Sequence, residues 1–136
     1  MKRNILSVVV GLAVAIITFL IAETINTSFH PAPTNLDYKD SIAVKAFYEN
    51  QPLSLWLMVL AGWVFGSLFC GLLIKWISKN ENIKLPIIAG SILTLSAVAN
   101  FFSLPHPTWF IVVGLMVFIP CTILGHKLYK IKTNGQ

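Results

Sequence analysis

The sequence predicts an all-α membrane protein, a four-transmembrane-helix bundle with both termini cytoplasmic. Three observations carry that prediction. Four long apolar runs succeed one another, only 11% of the 136 residues are charged while 56% are hydrophobic, and the basic residues fall on one side of the alternating runs. A transmembrane helix needs roughly 20 apolar residues at ~1.5 Å each to cross a hydrocarbon core of ~30 Å. A soluble domain needs more polar surface than this chain supplies, and four spans leave room for a single transmembrane domain over residues 1–136.

The first span is residues 5–22, eighteen residues without a charge. Lys2 and Arg3 ahead of it resemble a secretory n-region, but the run exceeds a 7–15-residue h-region and lacks a small residue at the −3 position of a cleavage site, so it reads as an uncleaved anchor. Ser7, Gly11 and Ala15 recur every fourth residue and define one small face. The second span, residues 53–77, carries Gly62 and Gly66 as a GxxxG, with Ser67 and Gly71 repeating the spacing. Small residues let helix backbones approach closely, within one bundle or between copies. The third span, residues 85–104, opens on Pro86 in a first turn, where no N–H is missed. It bears a polar stripe of Ser96, Asn100 and Ser103. The fourth, residues 108–128, contains Pro120, which removes the hydrogen bond to the Met116 carbonyl.

Between the first two spans lies the one long loop, residues 23–52. His30-Pro31-Ala32-Pro33 is stiff and extended. Asp40 or Ser41 caps a short helix over about residues 41–49, whose Val44, Phe47 and Tyr48 share an apolar face suited to the membrane interface.

The net charge of +5 is distributed, not clustered. Lys2, Arg3, Lys75, Lys79, Lys84, Lys127, Lys130 and Lys132 against Glu81 fall on one side. Lys39 and Lys45 against Glu23, Asp37, Asp40 and Glu49 fall on the other. The positive-inside rule then puts the termini in the cytoplasm and the long loop outside. It makes anionic headgroups, and no nucleic acid, the partner of the basic edge. Cys70 and Cys121 lack CxxC or Cys/His spacing and read as packing residues. His126, beside Lys127, reads as a solvated helix-end residue.

The functional candidates converge on the outer side. Glu23 sits at the expected end of the first helix, where a carboxylate opposes the macrodipole and invites a partner. Asn100 lies about one turn inside the end of its helix and needs a hydrogen-bond partner, whether as interhelical glue or in a polar cavity. Pro105 and Pro107 hold His106 at the surface, and Trp109 is an interfacial anchor. Glu23, His30 and His106 would make a donor set compatible with zinc. No cofactor motif is present.

This outer signature, Glu23 and His30-Pro31-Ala32-Pro33 followed by Asn100-x4-Pro105-His106-Pro107-x-Trp109-Phe110, resembles a group of small bacterial four-span integral membrane proteins of uncharacterised activity. The resemblance implies the topology, the bacterial cytoplasmic membrane and an outer-face cluster, and no reaction. Small multidrug exporters carry their functional carboxylate mid-span, unlike Glu23, and the fluoride-channel and glutathione-transferase membrane families are not matched.

Three functions remain open. The first is a structural or accessory subunit packing through its small-residue faces, as a homo-oligomer or in a larger membrane complex. The second is a small oligomeric transporter or channel with a polar path near Asn100 and Glu23, weakened by the lack of any mid-span ionisable group. The third is an outer-face metal-binding protein or membrane enzyme using Glu23, His30 and His106.

Overall fold

The computed structural model describes residues 1–129 and consists of five helices: α1 (Lys2–Phe29), α2 (Ser41–Glu49), α3 (Leu53–Ser78), α4 (Lys84–Ser103) and α5 (Thr108–Leu128). Lys130 and Lys132 of the basic tail lie outside the described residues. Four helices are long and apolar enough to cross a membrane. No more than 39% of the most apolar stretch of any of them is buried. The rest is a belt of large aliphatic and aromatic side chains, such as Ile16, Leu20, Phe65, Leu95, Phe102 and Met116, exposed on the bundle surface. Only lipid tolerates such a belt on a single chain. The chain is a multi-pass membrane protein.

α3 is the centre of the bundle. It packs against α1 on one side and α5 on the other, and α4 leans on α5 with lesser contacts to α1 and α3. Glycine sets these approaches. A Cβ on Gly62 or Gly66 of α3 would run into Ala22 or Phe19 of α1, and one on Gly11 would lie 3.0 Å from the Cys70 carbonyl oxygen. On the opposite face of α3, a Cβ on Gly71 would overlap the Thr122 carbonyl of α5, and one on Gly125 would overlap the Leu68 carbonyl. Ser7, Gly11 and Ala15 are buried, as are Ser67 and Gly71. The small faces are thus filled within the chain. Between these contacts the bundle axis holds Trp63, Phe110 and Phe118, with ring centroids 5.0–5.2 Å apart around Trp63.

α1 does not end at residue 22. It continues through Phe29, and past the apolar run the hydroxyls of Thr24, Thr27 and Ser28 are satisfied by carbonyls of the preceding turn. At 28 residues it is about 42 Å long, against a ~30 Å core. α5 runs unbroken through Pro120, with Thr122 Oγ1 donating to the Pro86 carbonyl of α4 at 2.9 Å.

The termini end of the bundle is tied by polar contacts. The Arg3 guanidinium donates to the Ser78 carbonyl at the end of α3, the buried Lys75 ammonium pairs with the exposed Glu81, and His126 Nε2 donates to the Asn80 carbonyl at 3.0 Å. His126 is 1% exposed, not solvated: the α3–α4 turn folds over it and supplies its acceptor. The opposite end carries α2. Asp40 is its cap, its carboxylate accepting from Ile42 N–H at 2.9 Å and Ala43 N–H at 3.2 Å. The apolar face of α2 turns onto the bundle instead of outward: Val44 is buried, Tyr48 packs against Trp56, and Ile42 faces away.

Candidate functional site

A cavity of about 210 Å³ opens at the α2 end, beneath α2 and between α1, α3 and the α4–α5 turn. Glu23, Asn26, Thr27 and His30 line one wall. These positions follow the i, i+3, i+4, i+7 spacing of one helical face, which exists because α1 runs on past residue 22. Glu23 is therefore no helix terminus; almost two turns of helix follow it.

His30 closes that face. Its Nδ1 donates to Asn26 Oδ1 at 3.0 Å, and its Nε2 lies 2.9 Å from Ser54 Oγ at the start of α3. Asn26 is 2% exposed, and with its oxygen committed to His30 its NH2 is the free end of the amide toward the cavity. Tyr48 and Phe47 come from α2, Tyr38 from the loop before it, and Trp56 from the first turn of α3. Burial pushes the Tyr48 phenol above its ordinary value, and the facing Tyr38 and Glu23 add to the shift. The phenol stays neutral and able to donate.

His106 forms the far wall. It is half-buried, not surface-held: its ring stacks on Phe110 at 5.6 Å, meets Phe101 edge-on at 5.0 Å and lies 5.5 Å from Trp56. Pro105 and Pro107 deliver it there, and Nδ1 donates to the Leu104 carbonyl at 2.6 Å, leaving Nε2 as the acceptor of the neutral ring. Burial lowers its proton affinity, partly offset by that hydrogen bond. Trp109 does not line the cavity; its ring packs edge-on against Phe110.

Asn100 lies at the cavity rim and is exposed, so it is not interhelical glue. The rest of its stripe turns outward too. Ser96 Oγ donates to Ile92 O at 3.0 Å and Ser103 Oγ to Ala99 O at 3.1 Å, each within α4. Among the described residues, no three His, Cys, Asp or Glu side chains are grouped to hold a metal ion. The Glu23, His30 and His106 donor set is therefore not assembled, because His30 is turned to Asn26 and Ser54. Cys70 and Cys121 are free thiols away from the cavity.

Four sequence candidates, Glu23, His30, Asn100 and His106, meet at this cavity. Asn26, Tyr48 and Trp56 join them unforeseen. The 23-26-27-30 spacing was the signal for Asn26, hidden by ending the helix where its apolar run ended. Trp56 carries no such signal, since tryptophan near a span end reads equally as an interfacial anchor. Compared with known proteins, the chain matches no family model, no curated protein and no solved structure.

Proposed function

We propose that this protein binds a small ligand in the α2-end cavity. The observation that carries this reading is the convergence of four separate segments on one cavity: α1 and its cap through Glu23, Asn26 and His30, α2 through Tyr48, α3 through Trp56, and the α4–α5 turn through His106. Small-molecule sites combine an apolar, aromatic wall with a few placed polar groups, and this cavity has that make-up. At about 210 Å³ it is smaller than the ~300–1,000 Å³ of drug-sized pockets, which points to a small ligand.

Other roles draw less support from the packing. A subunit that assembles through its small-residue faces needs those faces free, and they are filled by the chain's own helices. A path along Asn100 and Glu23 meets Trp63, Phe110 and Phe118 on the bundle axis. The charge asymmetry supports an orientation with cytoplasmic termini and the cavity facing outward. The resemblance stated above supports the bacterial cytoplasmic membrane.

The test is a thermal-unfolding screen of the protein in nanodiscs against small cations, anions and neutral polar solutes. A binder at 100 times its Kd stabilises by ~2.7 kcal/mol. The expected result is stabilisation by at least one class, lost in Thr27→Trp, which fills the cavity from an exposed position. If no class stabilises, or if Thr27→Trp responds like the wild type, the ligand-site reading fails.

A further inference from the structure

We infer that the cavity recognises an ammonium group, with the Glu23 carboxylate as counter-ion and the rings of Tyr38, Phe47, Tyr48 and Trp56 as the wall around it. This rests on the ligand-site reading and names its substrate class.

Three observations lead there. Among the lining residues Glu23 is the one acidic side chain, and no Lys or Arg joins it. The ion pairs among the described residues are Lys45 with Glu49 and Lys75 with Glu81, so Glu23 has no cationic partner among them. Glu23 is exposed and borders the cavity, so its carboxylate is open to a cation arriving from outside.

The second observation is the wall. Four aromatic residues from three segments line the same space, with Tyr48 against Phe47 at 5.2 Å and against Trp56 at 6.1 Å. Ring faces attract cations through their quadrupole, and aromatic walls of this kind suit ammonium groups, whose charge is spread over a apolar shell. A divalent inorganic cation favours several charged oxygen ligands, and the lining offers a single carboxylate beside neutral hydroxyls and amides.

The third is the distribution of hydrogen-bonding groups. His106 Nε2 accepts, while the Asn26 amide and the Tyr48 phenol offer donors to the same space. An ammonium carrying a hydroxyl or carbonyl oxygen would use both. The size of the cavity limits it to a small amine or to a headgroup whose tails remain in the bilayer. Either source presents the same chemistry.

The experiment measures binding of choline to the full chain in phosphatidylglycerol nanodiscs, beside 3,3-dimethylbutan-1-ol, which replaces the charged nitrogen by carbon at nearly the same shape, and acetate. Choline should bind, its neutral isostere should bind roughly tenfold or more weakly, a difference of about 1.4 kcal/mol, and acetate should not compete. Glu23→Gln should lose the preference for choline over the isostere, whereas Asp37→Asn, outside the cavity lining, should keep it. The wild-type comparison stands by itself if Glu23→Gln fails to fold. Adding phosphatidylethanolamine to the discs separates the sources. Competition with choline assigns the site to a lipid headgroup, and unchanged choline binding assigns it to a free amine. Equal binding of choline and its isostere, or an undiminished preference in Glu23→Gln, overturns the ammonium assignment while leaving a ligand site. No binding by any probe overturns both.

Discussion

His106 illustrates how a single side chain here is defined by its surroundings. Its ring is enclosed by Trp56, Phe101 and Phe110, and that burial disfavours the imidazolium. The folded chain therefore takes up this proton less readily than the unfolded chain. The stability it contributes is full above the ordinary histidine range near ~6.5 and is lost as pH falls through the depressed folded value. Unfolding temperature measured from about pH 8 down to about pH 5 should fall over the acid part of that range, and His106→Asn, which keeps a donor for the Leu104 carbonyl, should flatten the fall. An identical pH profile in the variant would assign the titration elsewhere. The groups sharing the two cavities beside the ring are Glu23, His30, Tyr38 and Tyr48 on one side and Lys45 and Glu49 on the other. At this scale the sequence identified the residue types well and their environments poorly. His106 was visible between its prolines, but its partner Trp56 is 50 residues away on α3. Asn100 was visible as an amide in an apolar run, yet whether it turned inward depended on helix rotation, which the span's apolarity all round leaves undecided.

At the scale of elements, close helix approach is the organising fact. α3 meets α5 where Gly71 and Gly125 face the Thr122 and Leu68 carbonyls, and backbone atoms cannot yield as a flexible side chain would. Gly71→Ala should therefore destabilise the bundle by about 1–3 kcal/mol or more, the range of core overpacking, read as a lower unfolding temperature in nanodiscs. Stability equal to wild type would mean that the helices are not held this closely. The pattern of small residues showed that helices approach; it did not show that one helix would use Gly62 and Gly66 for α1 and Gly71 for α5. That assignment depends on Gly71 lying on a different side of α3 from Gly62 and Gly66. The end of α1 was misjudged for a related reason. Apolarity marks where lipid ends, whereas Pro31, which forces His30 out of helical geometry, marks where the helix ends.

For the whole molecule, the polar ends differ in kind. One end has Arg3 and His126 bonded to carbonyls and Lys75 paired with Glu81, and the other has an open cavity roofed by α2. The orientation proposed above rests on the excess of Lys and Arg at the termini end. A cysteine at Asp37, in a background with Cys70 and Cys121 replaced by alanine, should react with an impermeant thiol reagent added outside intact cells. Labelling only from the cytoplasmic face would invert the orientation and point the cavity inward. The four-helix class was legible because lipid imposes one simple requirement on every span. The cavity was not, because it depends on four segments meeting in space.

The length of α1 has one more consequence. At about 42 Å it outreaches a ~30 Å hydrocarbon core, so its last turns, with Glu23, Asn26 and His30, stand at headgroup depth. A cation approaching that cavity samples the concentration at the leaflet surface, not the concentration in bulk water. Were that leaflet as anionic as a cytoplasmic one, at about −30 mV, it would enrich a monovalent cation about threefold. Lipid charge and ionic strength would then set the apparent affinity of the site alongside the residues that line it.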